Sequence, residues 1–143
     1  DGGPCKVGIE STILDLTSEP PQILRNGQIS RSQIESALGR SVAERSTGMK
    51  SAPGMYDRHY APRTPVVLVE KLHARQGGLT FGATENSHQR HMPSEPVNYA
   101  FELYNALFEL DGHELESICI AMPPETEPWA AIWERLRKAS HTA

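Results

Sequence analysis

Residues 40–65 divide the chain. The stretch holds Ser, Thr and Gly with Pro53, Pro62 and Pro65, and shows neither the 3.6-residue period of a helix nor the alternation of a strand. Any core must therefore be built from residues 1–39 on one side and 65–143 on the other. The divider is also chemically rich. A plain spacer is Gly, Ser, Pro and scattered charge. Here Ser51-Ala52-Pro53-Gly54-Met55-Tyr56-Asp57-Arg58-His59-Tyr60-Ala61-Pro62-Arg63 places aromatic, guanidinium and imidazole groups between prolines. Such a set suits a loop that covers something anionic and planar.

Before the divider, Val7, Ile9, Ser11 and Ile13 alternate with Gly8, Glu10, Thr12 and Leu14, which predicts a strand from about Val7 to Thr17. Ser18-Glu19-Pro20-Pro21 ends it. Gln22-Ile23-Leu24-Arg25 reads as the antiparallel return, and Asn26-Gly27 as the next turn. Ser30 opens a short helix with Gln33 at the capping-box position, Ile34, Ala37 and Leu38 on one face, and Gly39 as the stop. Two strands and one short helix bury too little apolar surface to stand alone. Residues 1–39 are therefore expected to complete a larger sheet, the chain opening at Asp1 inside a protein.

After the divider, Val66-Val67-Leu68-Val69 is a branched run of the kind buried on both faces of a sheet. Leu79-Thr80-Phe81-Gly82 reads as a second strand, Val97–Leu110 as an amphipathic helix, and Ser117–Met122 as another buried strand. Trp129, Ile132, Trp133, Leu136 and Ala139 then recur at helical spacing, with core or interface packing as the default for both Trp. The order predicts a small α/β layer with a mainly parallel sheet. His88-Gln89-Arg90-His91 lies in a polar stretch with no rigid frame and too few ligands for zinc, so it is expected to be a surface loop.

A net charge of −4 supplies no diffuse basic field for nucleic acid. Cys5 and Cys119 form neither a CxxC pair nor a disulfide framework, which fits a reducing cytosol and a cytoplasmic protein. No apolar run approaches the ~20 residues that span a bilayer.

Three blocks follow one another in order: Asp1-Gly2-Gly3-Pro4-Cys5 with Val7–Thr17, then Ile23-Leu24-Arg25-Asn26-Gly27, then Ala52-Pro53-Gly54-Met55 with Arg58-His59-Tyr60-Ala61-Pro62. Together they resemble the back half of the long, two-domain threonylcarbamoyl-AMP synthases. The resemblance implies the end of a YrdC-like α/β domain over 1–39, a linker over 40–64 and a Rossmann-like C-terminal domain over 65–143. It also implies condensation of L-threonine with bicarbonate and attack on ATP, giving threonylcarbamoyl-AMP and pyrophosphate for tRNA modification. Mg2+ is expected with the ATP.

The family pattern carries roles onto individual positions. Ser11, which alone reads as a backbone-bonding strand residue, corresponds to a threonine-binding Ser. Arg25 corresponds to an ATP-reaching Arg, and Arg58, His59 and Tyr60 to a loop over the nucleotide. Two departures stand out: Asn26 where the family has Pro, and Asp57 where it has an aromatic residue. Asp57 is expected to face solvent or to pair with Arg58 or Arg63. Glu10 and Asp15 lie five apart on one strand, which argues against an acid/base pair and for solvated or turn roles. The Lys/Arg cluster and Ser/Asn segment that grip the triphosphate would lie upstream, so this chain alone is expected to be inactive.

Two alternatives remain. The unit after residue 64 could dock tRNA-modification partner proteins, exposed apolar residues on the Trp129/Trp133 helix being the sign to look for. The acidic balance speaks against direct tRNA binding. A related YrdC-type carbamoyltransferase is disfavoured by the Arg58–Pro62 element.

Overall fold

The computed structural model describes residues 7–44 and 61–140. Two sheets organise them. The first has the order β1-β2-β3, with β1 at Ile13–Asp15, β2 at Gln22–Arg25 and β3 at Ala43–Glu44. β1 and β2 are antiparallel, as the turn between them requires, while β3 runs parallel to β2. β3 is only two residues long and so leaves no period in the sequence. Between β2 and β3 lies α1, Arg31–Leu38. Its N-terminus is the expected capping box: Ser30 Oγ accepts from Gln33 N–H at 3.3 Å and Gln33 Oε1 from Ser30 N–H at 2.9 Å. Gly39 closes it in the left-handed conformation.

One expectation for this part needs correction. The strand foreseen from Val7 to Thr17 is three residues long, because residues 7–12 find no neighbouring strand among the described residues. Gly8 and Glu10 instead meet a helix of the second unit, and Ser11 and Thr12 meet the turn after β2. On the α1 face of Ile34, Ala37 and Leu38, Ile34 is half-buried and the other two are exposed.

The second sheet is parallel throughout, in the order β4-β7-β5-β6. Its strands are β4 at Val66–Val69, β5 at Gly78–Thr80, β6 at Gln89–His91 and β7 at Ile118–Ala121. β7 is central and buried along its whole length. β4 is an edge strand whose Val67 is 44% exposed, so its run of branched residues is not buried on both faces as expected. β6 was not legible. The polar run His88–His91 predicts a surface loop, but main-chain pairing to β5 makes Gln89–His91 a strand, with the Gln89 side chain buried and bonded to the carbonyls of His73 and Gln76.

Helices α2 (Pro96–Asp111) and α3 (Ala130–Ser140) pack with the sheet around one core that includes Val66, Leu79, Ile118, Ile120, Tyr99, Leu103, Trp129, Ile132 and Leu136. Trp129 and Trp133 are both buried, and the Trp133 indole N–H donates to Pro124 O at 3.1 Å. Ile9, from before the divider, belongs to the same core. Gly8 explains how it gets there. A Cβ at this position would lie 2.0 Å from Phe101 Cα and 2.2 Å from Ala100 O, so only glycine lets the segment lie on the α2 backbone.

Candidate functional site

Ser11 and Arg25 are in contact. β2 carries Arg25 to a position opposite Ile13, and its buried side chain reaches back along β1. Arg25 Nε donates to Ser11 O at 3.0 Å and Nη2 to Ser11 Oγ at 3.3 Å. A planar guanidinium with donors in fixed directions can hold a carbonyl and a hydroxyl of one residue at once, which a Lys ammonium cannot do with the same rigidity. Ser11 itself is exposed rather than buried in a strand. Because its oxygen accepts from Arg25, its own O–H is directed to some other acceptor.

The turn after Arg25 supports the pair. A Cβ on Gly27 would stand 2.2 Å from Thr12 N and 2.5 Å from Ser11 C, so the turn lies directly on the Ser11–Thr12 backbone. Thr12 Oγ1 donates to Ile29 O at 2.9 Å on the same side. Asp15 plays the turn role expected of it, accepting from Thr17 N–H at 2.8 Å. Arg58, His59 and Tyr60, with Asp57, lie outside the described residues. Arg63 approaches Asp111 at 3.6 Å.

An open cleft of about 770 Å3 runs beside the turn, between residues 26–33 and the segments Glu95–Val97 and Glu127–Pro128. Neither Ser11 nor Arg25 lines it. Its carboxylates, among them Glu35, Glu44, Glu95 and Glu127, make it a poor seat for a triphosphate.

The polar group that sequence reasoning missed joins the two units. Arg135 on α3 is 7% exposed. Its Nε and Nη2 donate to Glu10 Oε2 at 3.0 and 2.8 Å, and its Nη1 donates to Asn26 O and, at 3.2 Å, to Ala131 O. Tyr104 on α2 donates to the same Glu10 oxygen at 3.2 Å. Next along α3, Glu134 accepts from Asn26 N–H at 3.0 Å and Asn26 Nδ2 at 3.3 Å, and from Lys138 Nζ at 2.9 Å. Glu10 is thus a half-buried ion-pair partner, not the solvated or turn carboxylate expected from its place in the strand. Burial pushes the Glu10 carboxyl up, but a hydrogen bond from its own backbone and the Arg135 charge outweigh this and hold it below its ordinary value. Glu134 is likewise raised by burial and brought lower overall, chiefly by the Lys138 and Asn26 hydrogen bonds.

One signal for Arg135 was present. It lies four residues after Ala131 and three after Ile132, inside the arc that α3 turns to the core, where an arginine demands a partner. The partner's identity was not legible, since Glu10 is 125 residues away.

No group of three His, Cys, Asp or Glu side chains among the described residues is placed to hold a metal ion. The His91 ring bonds Gly82 O at 2.9 Å, and the His88 ring meets His113 with centroids 5.2 Å apart. No helix among the described residues is long and apolar enough to cross a membrane.

Residues 29–141, from the approach to α1 through α3, match the family described as threonylcarbamoyl-AMP synthase, C-terminal domain. The chain belongs to that family. A threonylcarbamoyl-AMP synthase of Pyrococcus abyssi is 30% identical over 163 residues, covering 98% of this chain and 48% of the relative. The Bacillus subtilis threonylcarbamoyl-AMP synthase is 29% identical, covering 98% and 47%. A crystal structure of Pyrococcus abyssi Sua5 complexed with L-threonine superposes with a TM-score of 0.83 at 28% identity, over 98% of this chain and 48% of that one. A Sua5 variant in which adjacent His and Tyr residues are replaced by Ala gives the same TM-score at 26% identity. This member of the threonylcarbamoyl-AMP synthase family therefore spans about half the length of the relatives it matches. The expected α/β class with a mainly parallel second sheet agrees with both the sheet order and the shared fold.

Proposed function

We propose that the chain acts as the C-terminal part of an L-threonylcarbamoyladenylate synthase. Residues 1–39 would end a YrdC-like domain, 40–64 form the linker, and 65–143 form the Rossmann-like domain. In that reaction the threonine amine adds to bicarbonate with loss of water. A carbamate oxygen then attacks the α-phosphorus of ATP and pyrophosphate leaves. Ser11 binds threonine. Arg25 meets ATP, where a fixed cation stabilises charge developing on the phosphates. Arg58, His59 and Tyr60 cover the nucleotide.

The observation that carries the reading is the double hydrogen bond from Arg25 to Ser11. It sets the two assigned residues side by side, as a site joining amino acid to nucleotide needs. Support also comes from the relative solved with L-threonine. Its variant altered at a His–Tyr pair bears on the loop, since this chain has one such adjacent pair, His59–Tyr60. Leu16, Ile29 and Leu38 are each more than a third exposed, an apolar surface on the first unit that a preceding half would cover. The Mg2+ expected with ATP would be held largely by the phosphates and water, with at most one or two carboxylates.

The test is incorporation of labelled threonine and bicarbonate into an adenylate, with pyrophosphate release, by the longer protein and by this chain alone. Activity in the longer protein that Ser11→Ala and Arg25→Ala abolish supports the reading, as does an inactive isolated chain. Unchanged activity in both variants sinks the site assignment, and an active isolated chain sinks the requirement for a preceding half.

The docking alternative is supported on a different helix from the one expected. Both Trp side chains are buried, whereas Val97, Phe101 and Phe108 are exposed on α2. Phe108→Ser in the longer protein, with turnover kept and capture of a tRNA-modification partner lost, would favour it.

A further inference from the structure

We propose that Arg135 is a positioning residue for the Ser11/Arg25 site, acting from α3 through Glu10 and Asn26. The inference rests on the assignment of Ser11 and Arg25 made above. Glu10 directly precedes Ser11, and Asn26 directly follows Arg25. Arg135 holds the side chain of the first and the carbonyl of the second. Ser11 and Arg25 are themselves joined by two hydrogen bonds. The result is a closed ring: peptide bond, hydrogen bonds, peptide bond, and one guanidinium that completes the circuit from the other unit.

The chemistry of the clamp fits fine positioning. Arg135 is nearly fully buried, and its hydrogen bonds use all three guanidinium nitrogens. A buried charge this fully engaged has one low-energy orientation, which fixes the spacing between residues 10 and 26. The hydrogen bonds of Arg135 go to Glu10, Asn26 and Ala131, so it acts on Ser11 and Arg25 through their neighbours. Lysine would keep the charge but could not bond Glu10 through two nitrogens while reaching the Asn26 carbonyl with a third. Glu134, bonded to the Asn26 N–H, backs the same turn from the adjacent position.

A clamp that only stabilised the fold would change the unfolding temperature and leave the folded site unaltered. The test therefore measures L-threonine affinity by calorimetry on the longer protein, for wild type, Ser11→Ala, Arg135→Lys and the double variant, with thermal unfolding recorded for each. The expected result is a loss of about tenfold in threonine affinity for folded Arg135→Lys, since small misplacements of a positioned group are costly. Ser11→Ala should then cost far less in the Arg135→Lys background than in wild type, the non-additivity of residues acting as a unit. Wild-type affinity in folded Arg135→Lys, or additive effects, would overturn the inference while leaving the site assignment standing. If Ser11→Ala alone leaves affinity unchanged, the assignment of Ser11 fails and this inference falls with it. Should Arg135→Lys not fold, Glu10→Gln weakens the same clamp more gently and is read in the same way.

Discussion

The Arg25 guanidinium holds Ser11 at two points, the carbonyl through Nε at 3.0 Å and the hydroxyl through Nη2 at 3.3 Å. Arg25 is 9% exposed, so its bonds are made largely out of water. Arg25→Lys keeps the charge but loses the fork. It should cost about 1–3 kcal/mol, the range for disrupting buried hydrogen bonds to a charged group. Urea denaturation of the folded chain measures this, and hydrogen exchange at Ser11–Ile13 should accelerate. An unchanged midpoint would mean the fork is ornamental.

Gly27 sits against backbone alone: its hypothetical Cβ would fall 2.2 Å from Thr12 N, 2.5 Å from Ser11 C and 2.6 Å from Glu10 O. Backbone cannot swing aside as a side-chain tip can. Gly27→Ala should therefore cost about 1–3 kcal/mol or more as an overpacking change. Gly39→Ala is the control, with φ +66° and nothing within 4 Å of an added Cβ. It should cost only the strain of a left-handed residue, about 1–2 kcal/mol. Thermal melts that rank Gly39→Ala as the worse variant would contradict the packing at Gly27.

The local features were legible where chemistry and period agree. The Ser30–Gln33 capping box, the Gly39 stop and the apolar faces of α2 and α3 all follow from spacing over a few residues. The failures share one cause. β3 and β6 exist because a neighbouring strand offers its main chain, and polar His88–His91 says nothing of that neighbour. The Val7–Thr17 alternation failed in the opposite sense, since residues 7–12 keep the pattern but pair with no strand among the described residues, Gly8 and Glu10 meeting α2 instead. The ordered motif blocks single out Ser11 and Arg25, and the fold brings the two into contact, whereas Glu10–Arg135 spans most of the chain and leaves no short-range trace.

Asn26 shows why a departure from the family pattern can matter. Its N–H and side-chain amide both donate to Glu134 Oε2, at 3.0 and 3.3 Å. Proline has no N–H, so Asn26→Pro must remove the backbone bond along with the amide. It leaves a half-buried carboxylate short of donors, at an expected cost of about 1–3 kcal/mol. Glu134→Gln should cost less, because an amide oxygen still accepts. A double-mutant cycle on these two positions, read by denaturant unfolding, should show coupling. Strictly additive effects would separate Asn26 from Glu134.

Acid should loosen the joint between the units before it unfolds the rest. Burial raises the Glu10 and Glu134 carboxyls, but their hydrogen bonds and the neighbouring cations win, and both lie below the ordinary 4.5 in the folded chain. A carboxylate with a depressed folded pKa stabilises the fold above its unfolded value, and the contribution is lost as pH falls through the folded one. Stability should thus hold from neutral pH to about 5 and decline below 4.5, with Glu10→Gln flattening part of the slope. Tyr104 supplies the alkaline counterpart. Burial and the Glu10 charge push its phenol up to about 12 from 10. For an acid raised on folding, stability is intact below the unfolded value, so it should fall from pH 10 upward; Tyr104→Phe should remove part of that fall, the buried Tyr99 phenol, pushed higher still, supplying the rest. Denaturant midpoints across both ranges, with tyrosinate absorbance on the alkaline side, test the pair. An acid limb that Glu10→Gln leaves unaltered would show that the Arg135 ion pair contributes nothing to holding the units together.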